Sequence, residues 1–147
     1  MSIKKIEHLV QQFQNKTLPK AAWTHEAHLI VAVWYLYHFS KAEATGLLRA
    51  GIINYNVAVG TENTATGGYH ETITLFWIWL ISAYVDKYKH LKINELVSKF
   101  LASTYAERDV FFKFYSKKVL FSVDARANWI EPDLQPLKVD ILISLSE

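Results

Sequence analysis

The sequence predicts an all-α protein: a compact single-domain bundle of five to seven helices with an irregular C-terminal strap. Apolar residues recur at three- and four-residue intervals along most of the chain, which is the spacing of helices that bury one face. Helix-capping signals precede several of these segments. The 147 residues contain no internal repeat and no second zone of composition. Residues 1–147 are therefore expected to form one domain around one core.

The first two helices are predicted from apolar spacing and from one cap. An amphipathic helix near the N-terminus should end before Pro19, because proline does not continue a helix. Thr24 then has the side chain of an N-cap, and the segment LIVAVWYLYHF that follows carries apolar residues on every face. Such a helix must be surrounded by protein, so we expect it at the centre of the bundle. The apolar positions of the first helix are Ile3, Ile6, Val10 and Phe13.

A capping box, a loop and a third cap organise the middle of the chain. Ser40-Lys41-Ala42-Glu43 matches a capping box, which predicts a third helix. Residues 60–68 are turn formers without a large apolar side chain, so we expect a loop there. The stretch GGYHETIT ends that loop and opens a fourth helix, with His70 and Glu71 in its first turn.

The C-terminal third is predicted to contain shorter helices. Residues 93–101 have amphipathic spacing, and Thr104-Tyr105-Ala106-Glu107 matches a second capping box before DVFFKFYSKKVLF. We expect a helix after that box and a short one after Ser122. Two later prolines break regular structure, and the tail LKVDILISLSE is expected to form a strand-like or irregular strap. A strap of this kind packs on its own domain or on a second copy, which leaves a homo-oligomer open.

Composition excludes several classes of function. The chain has 16 basic and 14 acidic residues, a net charge of +2, and no basic stripe of the kind that binds nucleic acid. It has no cysteine, which excludes disulfides, thiolate chemistry, zinc fingers and iron–sulfur clusters. The start lacks the apolar run of a signal peptide, and the most apolar stretches, residues 29–39 and 75–85, are too short to span a bilayer. We expect a cytoplasmic protein without nucleic-acid or membrane partners.

Three histidines and one glutamate form the main candidate site. His25 and His28 are three residues apart and share one face of the second helix. His70 and Glu71 would flank the same pocket if the starts of the second and fourth helices converge. The histidines would then bind a divalent metal such as Zn, Mn, Fe or Ni, and Glu71 would be a ligand or the catalytic general base. A water on that metal would hydrolyse an ester, amide or phosphate.

The same four residues also have a structural interpretation. A histidine at a helix start caps backbone groups or stacks on an aromatic ring, and Trp23, Tyr69 and Trp77 offer such rings. Glu71 would then face solvent, cap the amides of its own helix, or lie buried with a partner. At the level of sequence both interpretations remain open.

A second polar group lies on the third helix and at the end of the following loop. Arg49 and Asn56 are two turns apart on one helix face, and would hydrogen-bond a carboxylate, phosphate or amide ligand. Asn54 and Asn63 belong to the same polar group, and Tyr69 completes the candidate ligand-binding residues. Their alternative role is to hold the glycine-rich loop, whose backbone groups need partners.

Three segments carry a resemblance to a known family. WTHEAHL at residues 23–29, GYHET at residues 68–72 and the ARxxWxxPDL pattern at residues 125–134 resemble a family of small bacterial proteins without an established activity. The resemblance covers most of the chain and implies no catalytic residue or cofactor. In architecture the predicted bundle is also similar to the DinB-like metalloenzymes, although the histidine spacing differs from theirs.

Two hypotheses about function follow from the sequence. In the first, the protein is a divalent-metal-dependent hydrolase in which His25, His28 and His70 hold the metal and Glu71 acts in catalysis. In the second, it is a non-catalytic domain that binds a small molecule or another protein, and the same residues hold an organic anion or anchor the loop.

Overall fold

The computed structural model describes residues 1–138, and that part of the chain contains seven α-helices and no strand. The predicted all-α fold class is therefore confirmed. Most of the predicted C-terminal strap falls on residues 139–147, outside the described residues. The helices are α1 (Ile3–Gln14), α2 (His25–His38), α3 (Lys41–Ala58), α4 (Glu71–Tyr88), α5 (Ile93–Leu101), α6 (Lys117–Leu120) and α7 (Val123–Ala127).

Helix α2 lies at the centre of the bundle, as its apolar sequence predicts. It packs against α1, α3, α4 and α5, and eight of its 14 residues are buried. Helix α4 is equally apolar and packs along α2 while it also contacts α3, α5 and α7. The two helices together carry much of the core. None of the helices in residues 1–138 combines the length and the apolarity that crossing a bilayer requires.

The predicted caps of α2 and α3 are present. The Thr24 hydroxyl accepts a hydrogen bond from the amide of Ala27 at 3.2 Å. At the start of α3, the Ser40 hydroxyl accepts from the amide of Glu43 at 3.2 Å and donates to the carboxylate of that residue at 2.9 Å. These bonds satisfy amides that have no partner within the helix. The connection between α2 and α3 is therefore only two residues long and follows directly after His38.

The prediction of a helix after Thr104 is wrong. The chain instead forms short 3₁₀ turns at Thr104–Ala106 and Val110–Lys113, and the next α-helix is the single turn α6. The buried side chains of this segment explain the difference, because an α-helix would spread them over most of its circumference at 100° per residue. The turns instead let all of them reach the core: Tyr105, Val110, Phe114, Tyr115 and Leu120.

The loop at residues 60–68 is held by Asn63. Its side-chain oxygen accepts hydrogen bonds from the side chain of Asn56 and from the amide of Tyr69, both at 2.9 Å. Its side-chain nitrogen donates to the carbonyl of Ile53 at 3.1 Å. One asparagine therefore joins the end of α3 to the residues that precede α4, and fixes where α4 begins.

Two glycines of this loop adopt left-handed backbone angles and provide a matched test of its packing. Gly60 has φ +80° and open space where a methyl group would stand, whereas a Cβ on Gly68, at φ +77°, would overlap the Glu62 carbonyl oxygen and lie 2.7 Å from Oδ1 of Asn63. We expect Gly60→Ala to lower the free energy of unfolding by about 1 kcal/mol, the cost of the backbone angle. Gly68→Ala should cost at least about 3 kcal/mol, because the loop must also shift. Urea denaturation measures both values, and equal losses would contradict the tight packing at Gly68.

Candidate functional site

The N-terminal turns of α2 and α4 lie side by side and border a cavity of about 460 Å³. The sequence left open whether these helix starts converge, and in the structure both border one cavity. Residues from α2, α3, α4 and the 3₁₀ segment after α5 line the cavity, and most of them are apolar. The lining residues that carry the arguments below are Trp23, His25, His28, Trp77, Arg108 and Phe111.

Two tryptophans give the cavity its aromatic walls. Trp23 stacks on Phe13 with ring centroids 4.8 Å apart, and its ring is also stacked with His28 at 3.7 Å. Trp77 lies 5.4 Å from the ring of His25 and 6.3 Å from that of Phe111. Both indoles are only partly buried, although they belong to the margin of the core. Trp23 has a ring stacked on each face, so it offers its edge to a planar group in the cavity, beside the ring of Trp77.

The imidazole of His28 has a fixed tautomer. Its Nδ1 lies 2.7 Å from the carbonyl oxygen of Thr24, and because a carbonyl only accepts, Nδ1 carries the proton. Burial lowers the pKa of His28 to about 4, and repulsion from His25 and Arg108 adds to that effect, whereas the bond to Thr24 opposes it. The ring is therefore neutral at pH 7, and Nε2 is a hydrogen-bond acceptor.

His25 is anchored in a similar way, but to a distant part of the chain. Its Nε2 lies 2.8 Å from the carbonyl oxygen of Ala106, 81 residues further along, and so donates to it. In the neutral ring Nδ1 is then an acceptor. The bond joins the first turn of α2 to the 3₁₀ segment that carries Arg108 and Phe111, and so helps to set the shape of the cavity.

Arg108 is a cavity residue that sequence reasoning missed. It is exposed at the edge of the cavity, and it forms no ion pair within residues 1–138. No aspartate or glutamate of that part of the chain lines the cavity. In the sequence Arg108 stands between Glu107 and Asp109, a setting that is typical of an ordinary surface charge. No local pattern identifies it, since its place at the cavity depends on how the 3₁₀ turns fold.

His70 does not join His25 and His28, which corrects the expected three-histidine set. It is the N-cap of α4: its Nδ1 accepts from the amide of Ile73 at 3.1 Å, and its Nε2 donates to the carbonyl of Leu120 at 2.8 Å. Both nitrogens are occupied, the residue is 7% exposed, and burial lowers its pKa. Within residues 1–138 no three His, Asp or Glu side chains are grouped so as to hold a metal ion.

Glu71 points into a different pocket, of about 330 Å³, where it lies with a partner. Arg49 donates to its carboxylate through Nε and Nη2, both at 3.0 Å, and the Tyr69 hydroxyl donates at 2.6 Å. Burial raises the pKa of Glu71, but the hydrogen bonds from Arg49 and Tyr69 outweigh it, so the pKa lies below its usual value. Burial and the same carboxylate raise the pKa of Tyr69 to about 12. An ionised carboxylate that accepts three hydrogen bonds in this way joins α3 to the start of α4.

The predicted ligand-binding residues on α3 and before α4 do not form one site either. Asn56 is buried and bonded to Asn63, which is the loop-holding role, and Asn54 is exposed on α3. Arg49 and Tyr69 are bonded to Glu71, although both also line the smaller pocket. Arg126 closes that pocket by donating to the carbonyl of Gly68 at 2.8 Å.

The dual role of His70 gives a prediction about stability. His70→Ala removes the cap of α4 and the bond to Leu120, so it should lower the free energy of unfolding by between about 1 and 3 kcal/mol. His70→Asn keeps a side chain that caps helices well but is too short to reach the carbonyl of Leu120. Its free energy of unfolding should fall by about half as much as that of His70→Ala. Urea denaturation compares the two. If His70→Asn matches the wild type, the bond to Leu120 contributes nothing.

The lowered pKa of His28 predicts acid sensitivity. The unfolded chain takes up this proton near pH 6.5 and the folded chain only near pH 4, so folding is less favourable as pH falls between these values. We expect the wild type to lose about 2 kcal/mol from this group over that window, somewhat less than the full shift implies because the ring borders an open cavity. His28→Phe keeps a ring beside Trp23 and does not titrate. Its stability should depend less on pH in urea titrations, and an unchanged dependence would contradict the burial argument.

The site must be interpreted from its own chemistry. Comparison of the chain with protein-family models, with curated proteins and with solved structures found no match. The resemblance to a bacterial family stays a prediction from the three sequence segments. The groups available for function are the free imidazole nitrogens of His25 and His28, the guanidinium of Arg108, and the aromatic walls beside them.

Proposed function

We propose that this protein binds a small, largely apolar organic molecule in the cavity between α2 and α4. The observation that carries the proposal is the cavity itself: about 460 Å³ of space with mostly apolar lining and a few polar groups at one side. Ligand sites in proteins have this size and this composition. The space lies beside the starts of two core helices, so it has a rigid frame.

The polar groups of the cavity are oriented before any ligand arrives. Backbone carbonyls hold the rings of His25 and His28, and within residues 1–138 each ring has one nitrogen without a hydrogen-bond partner. Fixed side chains lose little conformational freedom on binding, which favours affinity. The smaller pocket at Arg49 is a weaker candidate, because its carboxylate and guanidinium already satisfy one another.

A metal-dependent hydrolase is the second candidate, and one observation favours it. Histidines that bind metals usually donate their other nitrogen to a carbonyl or carboxylate, as His25 and His28 both do to backbone carbonyls. A divalent ion there would need water or substrate as further ligands, and would acidify a bound water for hydrolysis. Glu71 would have no direct part, since it lines the other pocket.

Binding is tested with prodan, a neutral naphthalene dye whose fluorescence rises in apolar surroundings. We expect saturable binding of one dye per chain, with a Kd of roughly 10 to 100 μM, as suits a small unoptimised ligand. Ala32 borders the cavity, so Ala32→Phe should fill it and abolish binding. Ala58→Phe, at the exposed end of α3, adds the same ring away from the cavity and should leave binding unchanged. Equal binding by both variants would reject the cavity as the site.

The hydrolase candidate is tested by elemental analysis of protein purified without a histidine tag. Near-stoichiometric metal that is lost in the His25→Ala/His28→Ala double variant, with helical circular dichroism retained, would support it. If wild type remains metal-free after incubation with Zn, Mn, Fe and Ni, the metal candidate is rejected and the organic-ligand proposal stands on the dye experiment alone.

A further inference from the structure

We infer that the ligand is an aromatic carboxylate that also carries a hydroxyl or ring N–H donor. The inference rests on the proposed binding function and adds the chemical class of the ligand. Three features of the cavity carry it: a cation at its edge, aromatic walls, and two imidazole nitrogens other than those that face backbone carbonyls.

The charge of the cavity favours an anion. Arg108 borders it and has no acidic partner within residues 1–138, and no carboxylate from that part of the chain lines the same space. Its chain neighbours Glu107 and Asp109 are exposed and are not among the lining residues. A planar guanidinium binds a carboxylate through two parallel hydrogen bonds.

The walls favour a flat ring. Trp23 and Trp77 both border the cavity with partly exposed indoles, and Phe111 lies beside Trp77. An aromatic ligand would meet the edge of Trp23, whose faces carry Phe13 and His28, and the ring of Trp77, and each such pair adds to the gain from apolar burial. The volume of about 460 Å³ accommodates one ring or two fused rings together with a short acidic group.

The imidazoles require a donor from the ligand. His28 carries its proton on Nδ1, and neutral His25 carries its proton on Nε2, because both of those nitrogens face backbone carbonyls. In the neutral rings the remaining nitrogens, Nε2 of His28 and Nδ1 of His25, are acceptors. A ligand that buried them without offering an O–H or N–H would leave polar groups unsatisfied, which lowers affinity. A purely hydrocarbon acid therefore fits less well than one with a ring hydroxyl or an indole-type N–H.

Isothermal titration calorimetry with three matched probes tests the ligand class. Hydroxynaphthoate has the ring, the charge and the donor; naphthoate lacks the donor; hydroxynaphthamide lacks the charge. At pH 7.5 we expect hydroxynaphthoate to bind at least about fivefold more tightly than naphthoate and about tenfold more tightly than hydroxynaphthamide. Equal affinity of the acid and the amide would overturn the role of charge. Equal affinity of hydroxynaphthoate and naphthoate would overturn the donor requirement.

Variants locate each preference. Arg108→Gln should weaken the binding of hydroxynaphthoate about tenfold and change that of hydroxynaphthamide less than twofold. Only the acid forms hydrogen bonds with the guanidinium through a charged group. Lys89→Gln removes the same charge from the exposed residue after the far end of α4 and should change neither affinity. His28→Phe keeps an aromatic ring but has no acceptor, so the affinity of this variant for hydroxynaphthoate should fall towards its affinity for naphthoate. If Arg108→Gln and Lys89→Gln behave alike, the assignment to Arg108 is wrong.

The two proposals fail in different ways. If prodan binds in the cavity but the acid has no advantage over the amide, the cavity is a ligand site and the inferred class is wrong. If prodan and all three naphthalene probes fail to bind, the proposed function itself is rejected.

Discussion

The fold depends on the burial of α2, a helix that is apolar on all sides. Such a helix is stable in water only when other elements cover most of its surface, and here α1, α3, α4 and α5 pack against it. The same requirement places α4 alongside α2 with both starts at one end of the bundle. The cavity lies at that end, where His25 and His28 from the start of α2 border it together with the partly buried Trp23 and Trp77.

Hydrogen bonding then divides the polar residues at this end into two groups. His70 and Glu71 are adjacent in sequence, but each is fully engaged in joining α4 to another element, through Leu120 for the first and Arg49 for the second. His25 and His28 each use one nitrogen for the backbone and keep the other. Buried polar groups that satisfy one another stabilise the fold, whereas those with a free position are available to a ligand. This distinction favours the cavity, rather than the pocket at Glu71, as the ligand site.

The accuracy of sequence-based prediction differed between segments for a physical reason. The starts of α2 and α3, and the whole of α5, lie where capping and apolar spacing put them, since these signals act within one or two turns. The segment after Thr104 also has a capping pattern, yet it forms 3₁₀ turns. Its buried side chains must reach the core from a short connection between helices, and that tertiary demand overrides the local propensity.

The sequence by itself determined the all-α class, the loop at residues 60–68 and the placing of His25, His28 and His70 at helix starts, because helix periodicity, capping and turn formation are local properties. Only the tertiary structure decided what those side chains do. The bonds that separate His70 from the other two histidines, and the position that brings Arg108 to the cavity, join residues tens of positions apart. Spacing along the chain does not constrain such contacts, since they depend on the direction in which each packed helix turns its side chains.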